Sequence, residues 1–250
     1  MKVLVTGGAG FIGSNLVRAL VVREHAVSVL DDFSTGLESN LENLPVTLVR
    51  GSMTDESVVA EAAQGVEAIV HLAARGSVPR SLKNPHATHD VNATGTVNVL
   101  EAARANNSHI IFSSSSSVYG SNPTSPKSES VAISPVSPYA ASKAAGEMYA
   151  AAYARSFGLS VLTLRFFNVF GPGQRPDHDY AAVVPKWTWQ ALHGDTLVVN
   201  GDGSIIRDFT YVDDVVGILV KALDRKVTAP GPVNVAFGRP LSLRYLLGAL

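Results

Sequence analysis

The chain has 250 residues, enough to bury a substantial core as one large domain or as one domain with a smaller appendage. Its 20 basic and 21 acidic residues give a net charge of -1 with no basic stripe, which argues against nucleic acid or an anionic membrane as partner. With no cysteine, a disulfide framework, a thiolate zinc site and a cysteine nucleophile are excluded, and no apolar stretch approaches the roughly 20 residues of a membrane span.

The first strand pattern, Val3-Leu4-Val5, follows Lys2 directly and leaves no room for a signal peptide, which fits a cytoplasmic location. Further apolar runs predict strands at Val27 to Leu30, Val46 to Val49, Ala68 to Leu72, His109 to Phe112 and Ser160 to Arg165. Helical patterns lie between them at Phe11 to Arg23, Asp55 to Ala63 and His86 to Ala105, and another helix starts at Ser137-Pro138. The runs lack polar alternation, as expected for strands covered on both faces, and repeated β-α-β units imply a doubly wound parallel sheet. After Arg165 the texture changes. Gly171 to Pro176 reads as a loop, Ala181 to Leu192 as a helix, and 196–200 and 205–209 as short strands. We expect a dinucleotide-binding unit at 1–168 and a smaller substrate-binding region at 169–250, interleaved with the sheet. A last helix capped by Ser242 runs into Leu250, an ending that reads as a truncation.

Gly7, Gly10 and Gly13 follow the first strand and open the first helix. That context is what a dinucleotide fingerprint requires: a tight turn, a backbone that phosphates can approach, and close helix–sheet packing at a helix N-terminus. Asp31 ends the second strand 18 residues after Gly13, where an acid can bind the adenosine ribose hydroxyls. Asp32 follows, and Ser34-Thr35-Gly36 holds no cation for a 2′-phosphate, so NAD is favoured over NADP. The serine run Ser113 to Ser117 continues an apolar strand, at the sheet edge where open α/β folds bind ligands.

Tyr139 and Lys143 stand one helical turn apart and share a helix face. A neighbouring ammonium favours the phenolate and brings proton transfer toward neutral pH. A solvated tyrosine and lysine at this spacing are the alternative. Asn168 and Arg207 fall where the sheet meets the second region. An arginine there can grip a diphosphate through its fork, or can simply pair with Asp208 or Asp213. His71 sits in an apolar strand and reads as a core histidine, and His86 and His89 lack a third metal ligand nearby, so no metal site is expected.

Taken in order, these motifs resemble the extended short-chain dehydrogenase/reductase family, in its sugar-nucleotide epimerase/dehydratase branch. The glycine loop, Asp31, His71-Leu72-Ala73-Ala74, Asn92 in its Asp90 to Thr96 segment, the serines, Tyr139/Lys143, Asn168 and Arg207 carry the resemblance. It implies a Rossmann fold, Tyr139 as acid/base, Lys143 on the nicotinamide ribose and lowering the tyrosine pKa, and Ser115 on the reacting sugar hydroxyl. It implies NAD contacts at Phe11, Ile12, Asp31, Asp32, Ser34, Thr35, Gly36, Ser52, Met53, Leu72, Ala73, Ala74, Asn92, Ser113 and Phe167. For the substrate it implies Gly76, Ser77, Ser115 and Ser116 near the sugar, Asn168 and Arg207 at the diphosphate, and Val183, Val198 and Asn200 toward the nucleotide base.

UDP-glucose 4-epimerases are the nearest general pattern, which implies a UDP-hexose or UDP-N-acetylhexosamine substrate and a transient 4-keto sugar. Gly76 to Ser81 is similar to the subgroup that accepts N-acetylhexosamines. Ser52 replaces the family's usual adenine-binding Asp, and Ser116-Ser117 replaces the Asp-Glu pair of sugar 4,6-dehydratases. A dehydratase or decarboxylase using the same C4 oxidation is the alternative, and a non-catalytic dinucleotide sensor a remote one. A homodimer is expected through helices at 86–105 and 137–157. The second carries Ala140, Ala141, Ala144, Ala145, Ala151 and Ala152, which can also be read as packing onto the sheet.

Overall fold

A computed structural model describes residues 1–177, 181–199 and 201–250. The first half alternates strand and helix: β1 (Lys2–Thr6), α1 (Phe11–Val22), β2 (Ala26–Asp31), β3 (Thr47–Arg50), α2 (Glu56–Ala62) and β4 (Ala68–His71). Then follow α3 (Val78–Lys83), α4 (Pro85–His89), α5 (Gly95–Asn106), β5 (His109–Ser115), α6 (Pro138–Phe157) and β6 (Val161–Phe166). The remainder is shorter and more broken: β7 (Val169–Phe170), α7 (Val183–His193), β8 (Ile206–Asp208), β9 (Thr210–Tyr211), α8 (Val212–Asp224), β10 (Val233–Val235), β11 (Pro240–Ser242) and α9 (Leu243–Ala249).

Seven strands form one parallel sheet in the order β10-β6-β5-β4-β1-β2-β3. The strand pleat sends alternate residues to opposite faces. Val3, Val5, Val70 and Ile111 therefore pack with Leu16, Val17 and Leu20 of α1 and Val215, Val216 and Leu219 of α8. Leu4, Ile69 and Ile110 pack on the other face with Val59 of α2, Val99 and Leu100 of α5, and Ala150 and Tyr153 of α6. Burial of each such aliphatic side chain contributes about 1.5–3 kcal/mol, and both faces of the sheet are covered. This is the Rossmann-type doubly wound arrangement. Strand order reverses at β1, between β2 and β4, and ligands of open α/β sheets bind at that switch, beyond the carboxyl ends of the strands.

Three readings of local structure need correction. The helix expected over 86–105 is broken: α4 ends at His89, residues Asp90–Thr94 form a wider π turn, and α5 begins at Gly95. Within that turn the Asn92 side chain is drawn to Arg75 and Ser142, and the Thr96 hydroxyl bonds the Asn92 carbonyl at 2.6 Å. Residues 196–199 form no strand, and Asn200 lies outside the described residues. The strand expected over 205–209 is two pieces with different partners: β8 pairs antiparallel with β11, and β9 parallel with β7. After the second-region elements, the chain returns to the main sheet through α8 and β10, which pairs with β6. Among the described residues no helix is long and apolar enough to cross a membrane.

Candidate active site

Beyond the carboxyl ends of the strands lies a cleft of about 1530 Å³, lined by the glycine loop, the serine run, Tyr139, Lys143 and the start of the second region. The loop is built by close approach. Gly7 has φ +71°, and a Cβ on it would stand 2.7 Å from the Ala73 nitrogen; on Gly13 a Cβ would stand 2.1 Å from the Gly7 oxygen. At Gly10 a Cβ would meet only the Gly7 oxygen, at 3.2 Å. Gly7 and Gly13 thus hold turn and helix together, while the backbone at Gly10 lines the cleft. Gly10 is the N-cap of α1, and no side chain caps that first turn, so the helix N-terminus suits a diphosphate.

Asp31 is buried, and its carboxylate accepts N–H groups from Ala9 and Phe33, both at 2.9 Å. Burial pushes its pKa up and those two backbone bonds oppose the rise. The carboxylate therefore pins the loop as well as facing the cleft beside Asp32, Ser34 and Thr35. Arg50 leans over the Phe33 ring at 4.8 Å and pairs with Glu38. An open glycine backbone, an uncapped helix start and an acid at the second strand's end together fit NAD.

Ser137 caps α6, its Oγ accepting the Ala140 N–H at 3.1 Å, and Pro138 occupies the first turn. This start aims Tyr139 and Lys143 at the serine-lined end of β5. The Tyr139 hydroxyl is hydrogen-bonded with Ser115. Lys143 is 4% exposed, and its Nζ donates to the Ser113 carbonyl at 2.8 Å, 5.3 Å from the Phe112 ring centroid. Burial pushes the ammonium down to about 8, against the favourable field of Glu147. Tyr139 does not show the lowering expected from its lysine. Desolvation pushes the phenol above its ordinary value, and the opposing contribution is the Ser115 bond. The ammonium is engaged with the Ser113 carbonyl, and it does not offset that burial.

His71 is a satisfied core histidine, with Nδ1 2.7 Å from Thr6 Oγ1 and Nε2 3.0 Å from Thr96 Oγ1. Burial, with the nearby Lys143 charge, holds it down to about 3, so it is neutral. Among the described residues no group of three or more His, Cys, Asp or Glu could hold a metal ion. At the other end of the cleft, Asn168 adopts φ +33° and donates from Nδ2 to the Asp208 carbonyl at 2.7 Å. Asp208 accepts the N–H groups of Phe237 and Gly238, both at 2.8 Å. Among the described residues Arg207 pairs with neither Asp208 nor Asp213; its Nη1 donates to the Ile206 carbonyl at 2.9 Å, and the residue lines the cleft.

The cleft also gathers Phe11, Ile12, Met53, Leu72, Ala73, Ala74, Gly76, Ser77, Ser116 and Phe167. Five expected residues do not line it. Gly36 is pressed on Ala9, Ser52 turns its hydroxyl to Thr54 at 2.8 Å, and Asn92 is buried in its clamp. Val183 begins α7, and Val198 is exposed with its carbonyl taken by Trp187 Nε1. Other residues were not foreseen. Asn40 lines the cleft and donates from Nδ2 to the Ala9 carbonyl at 2.8 Å, and Arg75 lines it where the Asn92 clamp holds its backbone. Glu147 lies beneath, one turn beyond Lys143, and that spacing was readable.

The sequence profile of the NAD dependent epimerase/dehydratase family matches residues 3–236. The chain belongs to that family. It is an extended short-chain dehydrogenase/reductase of the sugar-nucleotide branch, and its cofactor is NAD. A UDP-glucose 4-epimerase of Mycolicibacterium smegmatis is 42% identical over 229 residues, covering 89% of this chain and 73% of the relative. A UDP-N-acetyl-alpha-D-glucosaminuronate decarboxylase of Bacillus cytotoxicus is 38% identical over 234 residues, covering 90% and 72%. The structure of a UDP-N-acetylglucosamine 4-epimerase from Methanobrevibacter ruminantium, in complex with UDP-N-acetylmuramic acid, matches with a TM-score of 0.94 and 37% identity, over 99% of this chain and 80% of that one.

Proposed function

We propose that this enzyme is a 4-epimerase of a UDP-hexose or UDP-N-acetylhexosamine, working through a transient 4-keto sugar. The observation that carries the reading is that Tyr139, Ser115 and Lys143 line one cleft, with the Lys143 ammonium on the Ser113 carbonyl next to Ser115. NAD, when bound, supplies a reversible hydride acceptor. Ser115 holds the sugar O4 while Tyr139 Oη takes its proton, and Lys143 ties the Ser113 end of β5 to the same helix face. Such positioned proton transfer contributes about 10²–10⁴-fold to the rate. Once the keto sugar has turned over, the hydride returns to the other face of C4 while Tyr139 gives the proton back to O4, so the C4 epimer forms with no net redox change.

Arg207 and Asn168 are the diphosphate ligands in this reading, and Gly76 and Ser77 lie against the sugar. Ser116 and Ser117 stand where elimination would use acids, which favours epimerisation over loss of water. The dinucleotide unit is 1–168 and the substrate region 169–250, interleaved with the sheet through α8 and β10. The enzyme is a homodimer through α5 and α6: Ala140 and Ala144 are buried, but Met148 and Tyr149 are 58% and 45% exposed on α6. Sedimentation as a monomer at micromolar concentration contradicts that assembly. Incubation with UDP-glucose and with UDP-N-acetylglucosamine, followed by NMR, tests the reaction. A galacto-configured product supports epimerisation, and an unsaturated or decarboxylated sugar overturns it.

A further inference from the structure

Glu147 lies one turn after Lys143 and two after Tyr139, so the three share one face of α6. It is 3% exposed, and groups from two strands grip its carboxylate. Arg165 of β6 makes a forked pair, Nε to Oε1 at 2.9 Å and Nη2 to Oε2 at 2.7 Å. The Ser114 hydroxyl of β5 donates to the same Oε1. Ser114 and Arg165 are direct partners in the β5–β6 ladder, so one carboxylate clasps both strands at one level. On either side of Ser114 are Ser113, whose carbonyl accepts from Lys143, and Ser115, which bonds Tyr139.

The rest of the face that α6 turns to the sheet is poor in shape. Ala140, Ser142, Ala144 and Ala150 are the small buried residues of α6, Ser142 bonding Asn92 of the turn before α5 rather than a strand. Gly146 lies so close to Phe112 that a Cβ would stand 2.5 Å from the ring. Tyr153, a large buried residue, sits toward the far end and bonds Glu101. Small residues permit a close approach but set register weakly, whereas a forked carboxylate–guanidinium pair has one geometry. A buried ion pair adds little net stability over apolar side chains of like volume, so stability alone does not account for it. Arg165 is itself backed by the Tyr119 ring at 4.7 Å.

We propose that Glu147 is a positioning residue of the reaction centre: through Ser114 and Arg165 it fixes the height of α6 on the strand ends, so that Tyr139 meets Ser115 while Lys143 meets Ser113. The inference rests on the reading of Tyr139 and Lys143 as the proton-transfer pair.

Three variants test it: Ser114→Ala, Glu147→Gln, and the double variant Glu147→Leu/Arg165→Met, which leaves no buried charge without a partner. Misplacement by an ångström costs up to about 10²-fold in rate, so kcat falls about tenfold or more in the double variant while KM for the sugar nucleotide moves less than about threefold. Glu147→Gln, which keeps an acceptor for Arg165, retains an intermediate kcat, and NAD affinity is unchanged throughout. Tyr139 ionisation, read as the ultraviolet difference from matched Tyr139→Phe proteins, moves upward as the Ser115 bond loosens. That readout needs no turnover. If the wild type converts no sugar nucleotide, the functional reading fails, and the tyrosine titration still decides this one. Loss of thermal stability with kcat and the titration unchanged in Ser114→Ala and Glu147→Gln overturns the proposal, whether or not the double variant folds.

Discussion

Lys143 Nζ donates to the Ser113 carbonyl oxygen at 2.8 Å, which ties the ammonium of α6 to the last residues of β5. That single bond leaves the charge in an otherwise desolvated position, and its pKa falls to about 8. The folded value lies below the ordinary lysine value, so between the two the unfolded chain binds more protons. Stability contributed at this site is therefore gained as pH rises through about 8 toward 10.5, and withheld below. Lys143→Met, unfolded in urea at pH 7 and again near 10.5, removes this dependence. The stability of the variant relative to wild type falls by about 3 kcal/mol over that interval. A constant gap contradicts the burial account. The variant also loses most of its turnover.

His71 provides the acid counterpart. It is held neutral between Thr6 and Thr96, with a pKa of about 3 against an ordinary 6.5. In that window the unfolded chain binds the extra proton, so stability is lost as pH falls below 6.5. His71→Asn costs about 1–3 kcal/mol at pH 7 through its lost hydrogen bonds. Its acid unfolding curve is flatter than that of wild type, by up to about 4–5 kcal/mol between pH 6.5 and 3. Parallel curves for the two proteins exclude this source.

The glycine loop separates two effects that a bare spacing merges. Gly13→Ala drives a methyl into the Gly7 backbone, so it unfolds at lower temperature by a few kcal/mol and loses NAD with it. Gly10→Ala has room apart from the Gly7 oxygen, so its melting temperature is near wild type and its NAD affinity, by calorimetry, is reduced. Equal thermal loss in both variants contradicts the division of roles.

Arg207 has no ion-pair partner among the described residues, and it lines the cleft. Replacement by Leu raises KM for the sugar nucleotide about 10–100-fold, the worth of a charge-assisted hydrogen bond of about 1.5–3 kcal/mol. NAD affinity is unchanged. A KM within twofold of wild type removes Arg207 from the substrate contacts.

Most of the alternating half of the fold was legible because its strands are short apolar runs and its longer helices amphipathic or capped, whereas the six-residue α3 was not read. Ser137-Pro138 marked the start of α6 to the residue. The second half was less so. β10 is only Val233-Asn234-Val235, and its place beside β6 is decided by packing at long range. The break near Asn92 comes from side-chain bonds to Arg75 and Ser142, which no local propensity contains. In the cleft, glycines, Asp31 and the Tyr139/Lys143 pair announced themselves by spacing. Ser52 faced away because its hydroxyl found Thr54, and the fall in the tyrosine pKa failed because desolvation outweighed the Ser115 bond. Glu147 was hidden in plain view: only the facing strands show that it is buried.

The central claim is that Tyr139, Ser115 and Lys143 run a reversible oxidation at C4 of a UDP-sugar. Incubation of UDP-glucose or UDP-N-acetylglucosamine carrying deuterium at C4, with product read by NMR, tests it most directly. The account predicts a C4 epimer that keeps its deuterium at C4, formed by the wild type and absent with Tyr139→Phe, although that variant still binds NAD. Deuterium lost to solvent, a product changed at C5 or C6, or turnover retained by Tyr139→Phe contradicts it.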